Sequence, residues 1–268
     1  MDEMTAIMFD TAQRLLADLG ERAGVWEDMS PAALDEGWQP IEESGLPLAL
    51  VDEEHGGLGL PLAEGLELAR IAGENPVPWP LVETMLARRF AASSGEEIPA
   101  GPVASPGDLA PDQRNLAALA RAKQMSGALE AVLTMTITQV QERSQFGRPL
   151  AKFQAIQHSL AILAGEVAAA RAAADHAVMR LDGAEGDVLL AIGIARARVG
   201  EAASRASAIA HQLHGAIGFT REHRLHRYTT ALWAWRDQFG TQAWWTRQVG
   251  RAVIANGRDG FWPMVTAA

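Results

Sequence analysis

The chain has no cysteine and a single tyrosine among its 268 residues. Without cysteine there is neither a disulfide framework nor thiolate chemistry, and a reducing cytoplasm is the compartment such a sequence suits. No apolar run reaches the ~18–20 residues that a bilayer-spanning helix needs. The opening Met1-Asp2-Glu3 carries none of the positive charge of a secretory signal. Gly-x-y repeats and low-complexity tracts are missing, and 48% apolar residues is too many for a disordered chain. Runs of alternating apolar and polar residues are missing as well, so the pattern predicts an all-α protein.

Positive charge is scarce in the first part of the chain. Residues 1–111 hold 5 Lys+Arg against 21 Asp+Glu, whereas residues 112–268 hold 18 against 12. A net charge of −10 makes a poor nucleic-acid ligand. The basic second part suits a compact polyanion such as a diphosphate-bearing cofactor, although the same charges also serve as solvated helix faces.

Helical periodicity organises what is present. Apolar residues at 4, 7, 8, 12, 15, 16 and 19 form one stripe. Ser30-Pro31 reads as an N-cap with proline at N1, opening a short helix to Gly37. Glycine and proline force irregular backbone over 44–61; Pro61 then opens a helix ending at Gly73, residues 75–80 are extended, and a helix covers 81–92. Residues 93–111 hold four prolines and three glycines and read as a linker. A long helix carrying Leu129, Val132, Leu133, Thr136 and Val140 on one face should end near Gln145, with Pro149 starting the next. That next helix is apolar at 153, 156, 160, 163, 167, 170, 174, 178 and 181, the spacing of bundle packing. A turn at 182–186, a long helix over 188–214 and two further helices near 221–236 and 240–256 complete the pattern. The expected division is an N-terminal helical domain (1–92), a linker (93–111) and a C-terminal bundle (112–268).

Three segments resemble the acyl-CoA dehydrogenase family. Glu142 to Ala161, headed by Arg143-Ser-Gln-Phe-Gly-Arg-Pro149, is similar to its helix-turn-helix signature. Gln212 to Arg227, beginning Gln-Leu-His-Gly-Ala-Ile-Gly-Phe219, is similar to its second signature, and Gly45 to Leu60 to its first-domain signature. The resemblance implies an N-terminal helical domain and a C-terminal four-helix bundle around a middle β-barrel. It also implies FAD and oxidation of an acyl-CoA thioester, a glutamate taking the α-proton while hydride leaves the β-carbon for the flavin.

Two departures follow. Only the linker stands where the barrel belongs. The family's two positions for the catalytic glutamate fall on Ala117 and Phe239, neither able to accept a proton, so no catalytic residue is assigned. The arginine following the first position falls at Ala118, with Arg114 and Arg121 out of register. The groups that relatives lend to a neighbour's FAD fare better: Arg143, Phe146, Gln212 and Gly215 match, with Gln154 a further candidate and Gly218 allowing close approach. Thr241 matches a threonine near the flavin, beside Ala243 in place of a glutamine. The plainer readings are a helix-end arginine for Arg143, core for Phe146 and an ordinary helix end for Gln212–Gly215.

The histidine pairs His211/His214 and His223/His226 have no matching carboxylate set, and no metal site is expected. Trp233, Trp235, Trp244, Trp245 and Trp262 are expected to pack the bundle's end or an interface, and Glu222 to be an exposed or capping carboxylate. The resulting expectation is a base-less subunit of a heteromeric, steroid- or lipid-degrading acyl-CoA dehydrogenase. It would complete the FAD site of a full-length partner acting on an acyl-CoA, or pair with itself, without nucleic acid or membrane. The alternatives are a homodimeric scaffold that has lost FAD, and a self-sufficient enzyme with Asp237 or Asp112 as a displaced base.

Overall fold

Small residues decide how the helices meet. In the computed structural model, which describes residues 3–22, 29–183 and 187–267, every residue from Ala117 to Leu129 is buried. A helix buried on all faces must be thin, and this stretch supplies Ala117, Ala118, Ala120, Ala122, Gly127 and Ala128. It is the middle of α5 (Pro111–Glu142), the spine of the molecule.

The first part of the chain forms α1 (Glu3–Arg22), α2 (Pro31–Glu43), α3 (Leu62–Glu74) and α4 (Leu81–Ser94). After α5 come α6 (Gln154–Gly183), α7 (Val188–His214), α8 (Leu225–Asp237) and α9 (Gln242–Ala267). Helices α5, α6 and α7 pack side by side, α8 lies against α5 and α7, and α9 covers α7. The all-α expectation therefore holds, and the described residues contain no barrel. The apolar stripe of α6 turns its Leu163, Val167, Ala170, Ala174 and Val178 into the core. The expected turn at 182–186 falls partly outside the described residues, because 184–186 are not among them.

Two glycines read as helix stops are packing contacts instead. Helix α3 runs past Gly73 to Glu74 because Gly73 lies against α5: a Cβ there would overlap the carbonyl oxygen of Gln124. Gly127 answers from α5, where a Cβ would overlap the carbonyl of Arg70. Gly37 likewise does not end α2; the Trp79 indole occupies the space a side chain would need, and Trp79 Nε1 donates to Leu34 O at 2.6 Å. The Ser30 cap is as expected, its Oγ accepting from Ala33 N at 3.2 Å.

Helix α5 ends at Glu142, earlier than the periodicity suggests, and a two-residue hairpin follows: β1 (Ser144–Gln145) pairs antiparallel with β2 (Arg148–Pro149). Phe146 and Gly147 at its tip both have positive φ, 52° and 77°, the geometry of a type I′ turn. Pro149 closes the hairpin and also caps a 3₁₀ helix over Leu150–Lys152, and α6 starts at Gln154. Helix α8 starts at Leu225 and α9 reaches Ala267, kinked at Gly257, where φ is 66°. The backbone over 95–110 is neither helix nor strand, and α4 tethers it: Arg88 Nη2 donates to Gly101 O at 3.2 Å and Val103 N to Thr84 Oγ1 at 2.9 Å.

The charge asymmetry is partly spent inside the molecule. Arg70 of α3 joins Glu67 and Glu74 and reaches Glu130 of α5 at 2.9 Å. Burial works against the Arg70 charge, but these carboxylates overcome it and hold its pKa above the usual value. Lys123, nearly buried, bridges Glu67 at 2.9 Å and Asp175 of α6 at 2.6 Å, and Arg121 meets Glu83 at 2.5 Å. Each pair is worth keeping whole, because removing one partner strands a desolvated charge.

The glycine contact is open to test. Gly73→Ala or Gly127→Ala should each cost about 3 kcal/mol through overpacking, lowering Tm by roughly 6–12 °C. Gly165→Ala, on an exposed stretch of α6 with nothing within 4 Å, should instead gain about 0.5–1 kcal/mol. Thermal denaturation of the three variants checks the opposite signs.

Candidate functional site

Arg143 sits at the point where α5 stops. Its backbone N–H still bonds Gln139 O at 3.0 Å, but ψ of 123° turns the chain out of the helix. The side chain crosses to the end of α7, where Nη1 donates to His214 O at 2.9 Å. The next residue, Gly215, has φ of 69°, and a Cβ there would lie 3.3 Å from Arg143 Nη1. Glycine is required on both counts: it takes the left-handed backbone and leaves room for the guanidinium. The contact also satisfies a carbonyl at a helix C-terminus, as the plainer reading of Arg143 anticipates. Nε and Nη2 of Arg143 have no partner among the described residues.

A cavity of about 500 Å³ opens beside this contact, bordered by Gln212 and Gly215 and walled by Ser207, His211, Phe219 and Trp233. The His211 imidazole stacks on Phe219 at 4.3 Å and faces Trp233 at 6.5 Å, while its Nε2 lies 2.9 Å from Thr229 Oγ1. Ser207 Oγ is buried without a partner among the described residues. Phe146 stands at the tip of the Arg143 hairpin, 90% exposed and touching only the edge of Phe153 at 6.2 Å. It is not core, contrary to the plainer expectation, because the type I′ turn points it outward.

Neither Arg143 nor Phe146 is among the residues lining this cavity, and Gln154, the exposed first residue of α6, does not border it either. Nor does Thr241, which caps α9: its Oγ1 accepts from Trp244 N at 3.2 Å. Thr241 borders a second cavity of about 470 Å³ with Phe239, Gly240, Trp244, Arg114 and Arg247. Phe239 takes φ of 56° and lays its ring over the Arg121 guanidinium at 5.6 Å, with Trp235 over the same group at 5.4 Å. Ala117 is fully buried. Neither displaced-base candidate reaches this second cavity. Asp237 is exposed beside Arg236 Nη2 at 3.5 Å, and Asp112 borders a separate cavity with Leu62 and Leu181.

Sequence reading missed Arg196. Buried in α7, its Nη2 donates to the carbonyls of Arg236 (2.9 Å), Gln238 (2.8 Å) and Gly240 (3.2 Å), pinning the turn that carries Phe239. Burial, then repulsion from Arg121, pulls its pKa down to about 10, still charged at neutral pH. The only signal in the sequence is an arginine on an otherwise small-residue helix face. Of the five tryptophans from Trp233 onward, Trp245 is fully buried with Trp244 edge-on at 4.6 Å, and Trp235 is half-buried; Trp233 and Trp262 are exposed, so the cluster is divided. Glu222 is exposed. Asp52, Glu54 and His55 hold ligand atoms within 4.8 Å of one another on an exposed loop. No helix among the described residues is long and apolar enough to cross a membrane.

An all-α bundle with these two signature segments is the helical architecture of acyl-CoA dehydrogenases. The family described as "Acyl-CoA dehydrogenase, C-terminal domain" matches residues 111–254, more than half of the chain, and the chain belongs to it. It is 37% identical over 118 residues to the acyl-CoA dehydrogenase IpdE2 of Mycobacterium tuberculosis, covering 44% of this chain and 35% of that protein. It is also 34% identical over 102 residues to the glutaryl-CoA dehydrogenase of Desulfococcus multivorans, covering 38% of this chain and 26% of the relative. The matches thus span about a third of these relatives' length or less. Among solved structures, a variant of the Tcur3481-Tcur3483 steroid ACAD has a TM-score of 0.80 at 21% identity, covering 95% of this chain and 98% of that one. The ChsE4-ChsE5 complex of M. tuberculosis gives 0.76 at 18% identity, covering 96% and 99%. An FAD complex of PigA gives 0.76 at 12% identity, with the same coverage. At these identities the structural likeness speaks for the fold.

The histidines beside the first cavity respond to acid. His211, His214 and His223 all lie below the usual imidazole pKa; burial is the main cause, and neighbouring imidazoles add to it. A depressed folded-state pKa contributes stability that is present above the unfolded-state value near 6.5 and lost as pH falls through the folded value. Urea midpoints should therefore be flat above about pH 7 and fall between about pH 6.5 and 5. His223→Gln should flatten part of that fall.

Proposed function

We propose that this chain is a subunit of a heteromeric acyl-CoA dehydrogenase that leaves proton removal to a longer partner and completes the partner's FAD site. The observation carrying this reading is the Arg143–His214 bond beside Gly215, a glycine that also borders the Gln212 cavity. A guanidinium is held there by one nitrogen, and its remaining donors are free for phosphate oxygens. The fit is chemical as well as spatial. Gln212 can donate and accept toward a ribose or adenine edge, Gly215 lets backbone approach without a Cβ, and exposed Phe146 offers an apolar face across a subunit boundary. These residues would hold the diphosphate end of FAD, which when bound accepts the hydride equivalent removed from the acyl chain.

Residues of this chain bind and orient; they do not remove a proton. Ala117 and Phe239 replace the family's base, and Arg196 fixes the Phe239 turn in a form without a carboxylate. In this reading residues 93–111 stand where the family has its barrel, so the flavin ring would be covered by the partner. Names among the structural neighbours, a steroid ACAD and the ChsE4-ChsE5 complex, support a heteromeric steroid- or lipid-degrading enzyme. A second reading, a homodimeric scaffold without FAD, draws on the same Arg143–His214 bond as a plain helix-end contact.

Purified alone, the chain should carry little or no flavin. Co-expressed with a longer acyl-CoA dehydrogenase bearing a glutamate base, it should co-purify with visible flavin absorbance. Arg143→Ala should lower FAD affinity in that complex at least tenfold while leaving the complex assembled on size exclusion. Full FAD occupancy and dehydrogenase activity from this chain alone would overturn the proposal, and an assembled complex whose flavin content ignores Arg143→Ala would favour the scaffold.

A further inference from the structure

Four imidazoles meet where α7 gives way to α8, and their hydrogen bonds fix the proton on each. His214 Nδ1 donates to Ala210 O at 2.7 Å, because a carbonyl can only accept. His226 Nδ1 donates to His223 O at 2.6 Å for the same reason. Thr229 Oγ1 gives its one hydrogen to His226 O at 3.3 Å, so His211 Nε2, 2.9 Å away, must donate to it. His223 is the reverse case: its Nδ1 accepts the N–H of Leu225, the first residue of α8, at 3.1 Å. His211 Nδ1 and His214 Nε2 are left bare, and both are buried without a partner among the described residues.

A second proton therefore has no place on three of the four rings. On His211 or His214 it would make a buried N–H with no acceptor. On His223 it would set one N–H against another at a helix N-terminus, where the dipole already opposes a cation. The surroundings add no compensation. The His214 ring lies 4.7 Å from that of His223, Arg143 at the end of α5 bonds the His214 carbonyl, and Arg224 and Arg227 stand at the start of α8. Glu222 is exposed. Burial first, then the neighbouring imidazoles, hold all three rings below the usual imidazole pKa. The 3₁₀ turn over Gly215–Phe219 closes over the cluster: a Cβ on Gly218 would lie 2.9 Å from His214 Cβ and 3.4 Å from His211 Nδ1.

From this pattern of used and sealed lone pairs we infer that the turn between α7 and α8 is an acid-opened latch, shut only while His211, His214 and His223 are neutral. Opening the turn exposes the bare nitrogens to water, so the open form takes protons that the closed form refuses. Closure is complete above the open-form pKa of about 6.5 and is lost as pH falls toward the lower closed-form values. The same turn carries Gly215 and follows the His214 carbonyl that holds Arg143, so opening it frees the guanidinium. The bearing of this on FAD rests on the function proposed above; the latch itself is a property of this chain.

Amide hydrogen exchange on the full chain, at about pH 7.5 and 5.5 with intrinsic rates corrected, reads the latch directly. Peptides over 212–229 should lose protection about tenfold or more at the lower pH, while the buried 117–129 stretch of α5 keeps its own. His223→Asn places a side-chain oxygen near the position of Nδ1 and takes no proton, so it should keep 212–229 protected in acid. His211→Gln retains a donor for Thr229 Oγ1 and removes a second titrating ring, and it should shrink the loss. His158→Gln, exposed near the start of α6, should respond as the parent chain does. Equal protection at both pH values overturns the latch. So does a loss that extends evenly over 117–129, which is global unfolding, and so do His223→Asn and His211→Gln chains that both open like the parent. A response abolished by His158→Gln places the titration elsewhere and overturns it as well. Every readout is on this chain alone, so failure here is distinct from failure of the flavin measurements on the complex.

Discussion

Burial of α5 on every face is the constraint from which the rest follows. A helix enclosed by α3, α6, α7 and α8 can be no wider than its alanines and glycines permit. The paired contacts at Gly73 and Gly127 press two backbones together where any side chain would part them. The same helix carries Ala117 in its buried stretch and Arg143 at its end. Its placement therefore fixes both the buried alanine at position 117 and the position of a guanidinium at the edge. A shift large enough to make room for a glutamate at Ala117 would undo the crossing that holds the first part of the chain to the second.

Arginine does different work at each level of this architecture, and the difference is set by what it faces. Arg70 and Arg121 meet carboxylates and tie α3 and the start of α4 to α5. Arg196 meets carbonyl dipoles from Arg236 to Gly240; desolvation and Arg121 lower its pKa, and the Asp237 carboxylate opposes them. Arg143 meets one carbonyl, that of His214, and its other nitrogens have no partner among the described residues. That is why the proposed function rests on Arg143 rather than on the buried arginines.

The sequence carried the helices well, because bundle packing writes itself as a 3-4 spacing of apolar residues, and the stripe of α6 from Leu163 to Val178 is buried as that spacing requires. It carried glycine badly. Gly37 and Gly73 look like terminators locally, but their roles are set by Trp79 and by the Gln124 carbonyl, partners distant in sequence. The hairpin at 144–149 was equally hidden: two residues per strand leave no alternation to detect, and Pro149 has the same appearance at a strand end as at a helix start. At the candidate site, Arg143, Gln212 and Gly215 were readable through their motifs. Gln154 and Thr241 carried the same kind of motif signal yet lie apart from them, and Arg196, whose function depends on four residues around a turn forty positions away, had no motif at all.

The two cavities differ in what surrounds them. Beside the α7 terminus, the features that depend on backbone geometry are intact: a left-handed glycine, a guanidinium seated on a carbonyl, and a stacked imidazole. Beside the α9 terminus, the loop is held just as firmly, yet the residue it presents is a phenyl ring in a left-handed conformation that phenylalanine adopts only under constraint. Arg196 supplies that constraint and Arg121 receives the ring. Strain of this kind persists only where surrounding contacts over-determine it. The Phe239 turn is thus a rigid wall of the cavity it borders.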